Sequence, residues 1–166
     1  EAFIRQLTAA LEEAGAGGVV LDWGQVDPAY RDPLTGLAGE IAAALHARGL
    51  ELWLCIPMGA ELRAFDLESL ASRVDRFVAM LHDENGEDDA PGPLASQEWF
   101  EGWLGTVTAY GRLDQWVAAL GAYGYDWAAG EPRAEAIGFA DALSRAGRAG
   151  LTRVSAAPPG GNPHFE

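Results

Sequence analysis

Acidic side chains stand beside aromatic rings or histidine in three short segments of the chain. Asp22 is followed by Trp23, the segment from Met80 to Glu84 contains a histidine and two acids, and the segment from Tyr123 to Trp127 alternates aromatic residues with glycine and aspartate. Aromatic rings stack on the apolar faces of sugars, and carboxylates accept hydrogens from hydroxyl and amide groups. Together these residue types predict a carbohydrate site, whereas each acid taken alone is more typical of a helix cap or a solvated loop.

The elements that must position these segments alternate between strand and helix. Apolar runs at 19–23, 50–56, 77–81 and 116–122 predict four strands. Helical spacing predicts helices that begin near Phe3, at the Asp32-Pro33 pair, at Asp66 and at Ser96. A further helix is predicted near 132–146, with a short strand at 152–156. This alternation predicts an α/β fold with a parallel sheet.

The acidic and aromatic segments follow the predicted strands directly. In parallel α/β folds the functional residues lie at the carboxyl ends of the strands and in the loops beyond them. We therefore expect Asp22, Asp83, Tyr123 and Tyr125 to line one cleft. Four strands fit either an open sheet or part of a (β/α)8 barrel, which needs about 250 residues.

Composition excludes several classes of function. The 166 residues carry a formal charge of −14 and contain no lysine, so nucleic acid and anionic membrane surfaces are poor partners. No apolar stretch is close in length to the about 20 residues needed to span a bilayer. The first residues lack a signal-peptide pattern. Hydrophobic residues make up 49% of the chain, enough for a core.

No cofactor or metal is predicted. The glycines from Gly15 to Gly18 precede a strand, whereas a phosphate-binding loop follows one. The acidic loop after His82 lacks the spacing of a calcium-binding EF-hand. The single cysteine, Cys55, lies in an apolar run, has no histidine nearby in sequence to activate it, and is expected to be buried.

Several motifs resemble glycoside hydrolase family 18, the chitinase-like (β/α)8 barrels. The resemblance is to the branch of spore peptidoglycan hydrolases and of modules fused to polysaccharide deacetylases and glycosyltransferases. The family's D-x-x-D-x-D-x-E pattern aligns with Gly17 to Gly24, and its M-x-Y-D with Met80 to Asp83. A Pro-Gly-Pro segment with a following tryptophan-bearing helix matches 91–99, and the branch's Y-G-Y-D-W is present at 123–127. The tail at 162–165 is similar to the segment before the eighth strand.

The resemblance implies a partial barrel, roughly strands four to seven plus a following insertion, forming one chitinase-like domain over residues 1–166. It implies that Asp22 matches the aspartate that orients the substrate's acetamido group. The implied substrate-binding residues are Trp23, Met80, His82, Asp83, Glu84, Tyr123, Tyr125 and Trp127.

One departure from the family changes the functional interpretation. Gly24 stands where the family has the glutamate that protonates the leaving oxygen, and that family uses the substrate's acetamido group as its nucleophile. Gly17 and Val20 replace the other motif acids, and His82 replaces a tyrosine that helps to hold the acetamide. General acid catalysis supplies about 10²- to 10⁴-fold in rate, and glycine has no proton to give.

Three functions stay open. The first is a degenerate chitinase-like domain that binds a polysaccharide containing N-acetylglucosamine. The second is an active glycosidase with a relocated acid, for which Asp83 and Glu84 are the candidates. The third is a structural or partner-binding domain that recognises no sugar. The resemblance also implies an extracytoplasmic or secreted location, membrane anchoring through parts outside this chain, and fused deacetylase or glycosyltransferase domains.

Overall fold

A computed structural model describes residues 1–151, 154–156 and 161–165 of the chain. The chain divides into two compact units. The first comprises residues 1–80 and 105–118, and the second comprises residues 81–104 and 119–166.

The first unit is built on a sheet with strand order β1-β2-β3-β4. Its strands are β1 (Gly18–Leu21), β2 (Glu51–Pro57), β3 (Arg76–Met80) and β4 (Trp116–Ala119). The first three pair in parallel, with Val19 opposite Leu52 and Leu54 opposite Phe77. The predicted α/β class with a parallel sheet is therefore confirmed.

Helices α1 (Ala2–Ala14), α2 (Arg31–His46) and α3 (Leu67–Ala71) connect or flank these strands. The predicted cap of α3 is confirmed, because the Asp66 carboxylate accepts from the Ser69 N–H at 3.2 Å. The predicted Asp32-Pro33 start of α2 is wrong. A 3-10 turn at Pro28–Tyr30, capped by Asp27, leads straight into the helix at Arg31.

The core of this unit lies where α2 packs on β2. Leu52, Leu54 and Ile56 alternate along β2 and are fully buried, as are Ile41 and Leu45 on α2. Leu37, predicted to share their face, is 40% exposed. Because Ala38 and Ala42 are buried instead, the apolar stripe is centred on their side of the helix and leaves Leu37 at its margin.

The second unit contains six of the predicted site residues, namely His82, Asp83, Glu84, Tyr123, Tyr125 and Trp127. Helix α4 (Gln97–Val107) begins within it, and a two-stranded antiparallel sheet joins β5 (Gly124–Asp126) to β6 (Glu135–Ile137). Helix α5 (Phe139–Arg148) follows, and Ser155–Ala156 (β7) pairs with Pro163–His164 (β8).

Two predicted elements differ from the structure here. The strand predicted at 116–122 ends at Ala119. The helix predicted near 132–146 is a strand at Glu135–Ile137 before it becomes helical at Phe139. Pairing with β5, which no local pattern encodes, holds residues 135–137 extended. Of the strand predicted at 152–156, residues 152 and 153 lie outside the described residues.

Candidate functional site

Asp83 occupies an unusual backbone position just after β3. Its φ of 63° makes it the single non-glycine residue with positive φ within residues 1–151, 154–156 and 161–165. The left-handed conformation costs a residue with a side chain about 1–2 kcal/mol, although aspartate adopts it more readily than most. Strained backbone of this kind is concentrated at functional sites. The conformation therefore marks Asp83 as a residue whose side chain is held in a specific place.

Three neighbouring side chains hold the Asp83 carboxylate. The hydroxyl of Tyr123 donates to Oδ1 at 2.6 Å and that of Tyr125 donates to the same oxygen at 2.9 Å. The ring nitrogen Nδ1 of His82 lies 3.0 Å from Oδ2. We call His82, Asp83, Tyr123 and Tyr125 the Asp83 cluster. All four were predicted from the sequence as substrate-binding residues, and the structure brings them into direct contact.

The protonation states within the Asp83 cluster follow from these contacts. Burial raises the pKa of Asp83, but the hydrogen bonds from Tyr123, His82 and Tyr125 outweigh it and leave that pKa below its usual value. Burial, followed by hydrogen bonding to Asp83, raises the pKa of Tyr123 and of Tyr125. Near neutral pH, Asp83 is therefore a carboxylate and both tyrosines are phenols.

An aromatic ladder extends from the Asp83 cluster along β5. Tyr125 lies on β5, and Tyr123 and Trp127 stand two residues to either side of it, just outside the strand. The ring centroids are 5.7 Å apart for Tyr123 and Tyr125, and 5.6 Å apart for Tyr125 and Trp127. The indole N–H of Trp127 donates to the Asp89 carbonyl at 2.9 Å, which fixes the last ring. The ladder presents three rings in a row beside a carboxylate.

On the other face of β5, Arg145 forms ion pairs that the sequence did not predict. Asp126 on β5 pairs in register with Glu135 on β6, which places two carboxylates opposite each other. Arg145 of α5 lies between them, with its Nη1 2.6 Å from Asp126 Oδ2 and its Nη2 2.9 Å from Glu135 Oε2. This arginine joins β5, β6 and α5. No sequence spacing could have identified it, because the contact depends on the β5–β6 pairing.

Glu84, the other predicted acid of this segment, is engaged by the start of α4. Its two carboxylate oxygens accept from the Ser96 N–H at 2.5 Å and from the Ser96 hydroxyl at 3.1 Å. Ser96 in turn accepts from the Trp99 N–H at 3.3 Å, which is the predicted helix cap. Glu84 therefore ties the loop after β3 to the beginning of α4.

Asp22 and its neighbours belong to the first unit. Gly24 has φ 58°, and its N–H donates to Asp22 Oδ1 at 2.9 Å. Trp23 and Met80 are half-buried. Burial, and then the negative charge of Asp22, raises the pKa of Cys55, so this thiol is protonated and a poor nucleophile. That Asp22 and Asp83 line one cleft stays a prediction.

Metal sites and membrane spans are the remaining features to consider for the described residues. Across residues 1–151, 154–156 and 161–165, no three His, Cys, Asp or Glu side chains are grouped as metal ligands. Of the helices within these ranges, none is both long and apolar enough to cross a bilayer.

Comparison with known proteins identifies relatives in sequence and in structure. No family model matches the chain. A protein named "Putative sporulation-specific glycosylase YdhD" from Bacillus subtilis (strain 168) is 29% identical over 118 residues, which cover 68% of this chain and 28% of that protein. Its crystal structure matches with a TM-score of 0.87 and 25% identity, over 96% of this chain and 55% of that one.

Two further crystal structures share the fold. A chitinase from Chromobacterium violaceum ATCC 12472 matches with a TM-score of 0.82 and 23% identity, over 95% of this chain and 51% of that one. The spore cortex-lytic enzyme SleL of Bacillus cereus matches with a TM-score of 0.85 and 19% identity, over 98% of this chain and 40% of that one. This chain thus spans about half or less of each relative. These likenesses confirm the resemblance of this chain to the chitinase-like proteins of glycoside hydrolase family 18.

Proposed function

We propose that this chain is a degenerate chitinase-like domain that binds a polysaccharide containing N-acetylglucosamine. The observation that carries the proposal is the Asp83 cluster with its ladder of Tyr123, Tyr125 and Trp127. A fixed carboxylate beside a row of aromatic rings offers a sugar both a hydrogen-bond acceptor and apolar faces on which to stack. The chitinase and glycosylase relatives support a glycan as the ligand.

The loss of catalysis is proposed from position 24. The family's acid would require a long side chain there, and Gly24 has a backbone conformation that favours glycine. Its N–H holds Asp22, the residue that the resemblance assigns to orienting the acetamido group. The orienting residue is thus kept, whereas the proton donor is missing.

We further propose that residues 1–166 are part of one chitinase-like barrel, roughly strands four to seven, followed by an insertion. The four-stranded sheet would supply those strands, and β5, β6 and α5 would form the insertion. Coverage of 55% and 51% of the YdhD and chitinase structures supports a partial barrel. The domain would then be a module of an extracytoplasmic, cell-envelope polysaccharide-processing protein, in keeping with the spore-related names of two relatives.

An active glycosidase with a relocated acid is the alternative. Asp83 is a weak candidate for that acid, because its pKa lies below the usual value and a general acid must hold its proton. Glu84 is also a weak candidate, because both of its carboxylate oxygens accept hydrogens from Ser96. A domain that binds no sugar is the third possibility.

Two measurements on the full chain separate these functions. Hydrolysis of a fluorogenic chitobioside is assayed from about pH 4 to about pH 8, and binding of N-acetylglucosamine oligomers is measured by isothermal titration. We expect binding without turnover. Turnover would show an active enzyme, and the absence of both would leave the non-sugar function.

A matched pair of tryptophan variants connects the binding to the aromatic ladder. Trp127→Ala removes the last ring of the ladder, whereas Trp99→Ala removes a ring that packs edge-on against Trp103 on α4. We expect Trp127→Ala to weaken oligomer binding about tenfold and Trp99→Ala to leave it within about twofold. Equal effects of the two variants would contradict a site on the ladder.

A further inference from the structure

The last ring of the aromatic ladder is held by a turn outside the sheet. Trp127 lies one residue beyond β5, and its indole N–H donates to the Asp89 carbonyl at 2.9 Å. Asp89 belongs to the segment between β3 and α4, which contains neither helix nor strand. The position of the Trp127 ring therefore depends on what fixes the Asp89 carbonyl.

A turn at residues 86–89 presents this carbonyl. The Asp89 N–H donates to the Gly86 carbonyl at 3.2 Å, and the Gly86 N–H donates to Asp89 Oδ2 at 2.9 Å. The turn carries three consecutive acids, Glu87, Asp88 and Asp89. Because neighbouring like charges repel each other, a cation that pairs with these acids stabilises the closed turn.

Arg133 is such a cation. Its Nε lies 2.5 Å from Asp88 Oδ1 and its Nη2 lies 2.9 Å from Asp88 Oδ2, and Nη2 also donates to Glu87 Oε1 at 2.7 Å. A two-point pair of this kind fixes direction as well as distance. The next residue, Ala134, donates its N–H to the Glu87 carbonyl at 2.7 Å. Among the described residues, no other arginine pairs with the acids of this turn.

Trp127 and Arg133 thus contact neighbouring residues of the same turn. Trp127 contacts the Asp89 carbonyl, and Arg133 contacts the Asp88 carboxylate. The Arg133 side chain is 57% exposed, and exposed ion pairs add little to the free energy of unfolding. Its effect is therefore local, because it fixes the place of the turn that holds the ring.

We propose that Arg133 is a positioning residue for glycan binding, which holds the 86–89 turn so that the Asp89 carbonyl keeps the Trp127 ring in the aromatic ladder. This inference rests on the proposed function, and it assigns to Arg133 an effect that acts through Trp127 and not through contact with the sugar.

The test is isothermal titration of the full chain with an N-acetylglucosamine tetramer. Arg133→Met removes the charge and the two-point pair but keeps an unbranched side chain. We expect it to weaken binding about three- to fivefold, which is less than the about tenfold loss expected for Trp127→Ala, because the ring is displaced part of the time and is not removed.

Arg112→Met is the matched control. Arg112 forms a similarly exposed two-point pair with Asp114 in the first unit. We expect Arg112→Met to leave binding within about 1.5-fold of the parent. Melting curves complete the comparison, since Arg133→Met should lower the melting temperature no more than Arg112→Met does.

A double variant tests whether Arg133 acts through the ring. If its effect passes through Trp127, Arg133→Met should have no further effect on binding in a protein that already carries Trp127→Ala. A residue that supports the site in another way would weaken binding by the same factor with and without Trp127.

The outcomes separate this inference from the proposed function. Unchanged binding by Arg133→Met, while the parent binds the tetramer, overturns the inference and leaves the proposed function intact. Equal weakening with and without Trp127 also overturns it, as does a much larger fall in melting temperature than Arg112→Met shows. If the parent does not bind the tetramer, the proposed function fails and the inference fails with it.

Discussion

Gly24→Glu restores the side chain that the family's catalytic pattern has at this position. An ideal Cβ added to Gly24 meets nothing within 4 Å, so the new side chain has room at its base. The substitution nevertheless lowers the stability of the fold, because a backbone φ of 58° disfavours any residue with a Cβ by about 1–2 kcal/mol. For a chain of this size we expect the melting temperature to fall by about 2–8 °C.

The catalytic gain depends on whether the surrounding geometry survives. The substitution keeps the N–H of residue 24, so its hydrogen bond to Asp22 Oδ1 persists as long as the backbone stays left-handed. A positioned general acid supplies about 10²- to 10⁴-fold in rate, and the lower part of this range is expected because His82 replaces the family's tyrosine. The assay is fluorogenic chitobioside hydrolysis in a protein that contains the whole barrel.

Gly24→Gln is the matched control. It has the same backbone cost and nearly the same shape as glutamate, but no proton of suitable acidity. If Gly24→Glu hydrolyses the chitobioside whereas Gly24→Gln and the parent do not, the result would support residue 24 as the position from which the general acid was lost. The reasoning would be refuted if the Gly24→Glu protein is folded but inactive while the parent protein binds the oligomer. Hydrolysis by the parent would place the acid elsewhere.

Three further predictions concern the second unit. Because the pKa of Asp83 is lowered in the folded state, the ionised carboxylate contributes to stability above its ordinary pKa of 3.8, and this contribution is lost as the pH falls through the lowered value. Urea unfolding at a series of pH values should therefore show that the free energy of unfolding decreases less on acidification in Asp83→Asn than in the parent. Arg145→Met leaves the carboxylates of Asp126 and Glu135 facing each other, so its melting temperature should fall more than that of Arg148→Met, and an equal fall would contradict the role of Arg145. Glu84→Ala removes the acceptor at the start of α4 and should lower the free energy of unfolding by about 1 kcal/mol; unchanged stability together with lost hydrolysis would instead identify Glu84 as a catalytic acid.

The first unit follows closely from local sequence patterns. Apolar runs predicted β1, β2 and β3 to within a few residues, and the Asp66 cap of α3 was predicted from one residue type at one position. Periodicity and capping act between residues that are neighbours along the chain, so the sequence contains the whole signal. The acidic and aromatic residues of the Asp83 cluster were predicted in the same way, from their place after strands.

The arrangement inside the site depended on tertiary structure. The sequence placed Asp83, Tyr123 and Tyr125 after two different strands, but it could not show that both hydroxyls converge on one carboxylate oxygen. Nor could it show that Ser96 engages Glu84, or that residues 135–137 form a strand against β5 rather than a helix. Each of these features depends on the direction of a side chain or on a pairing between distant segments. Such contacts form only once the backbone has brought those segments together, and for this reason no local pattern predicts them.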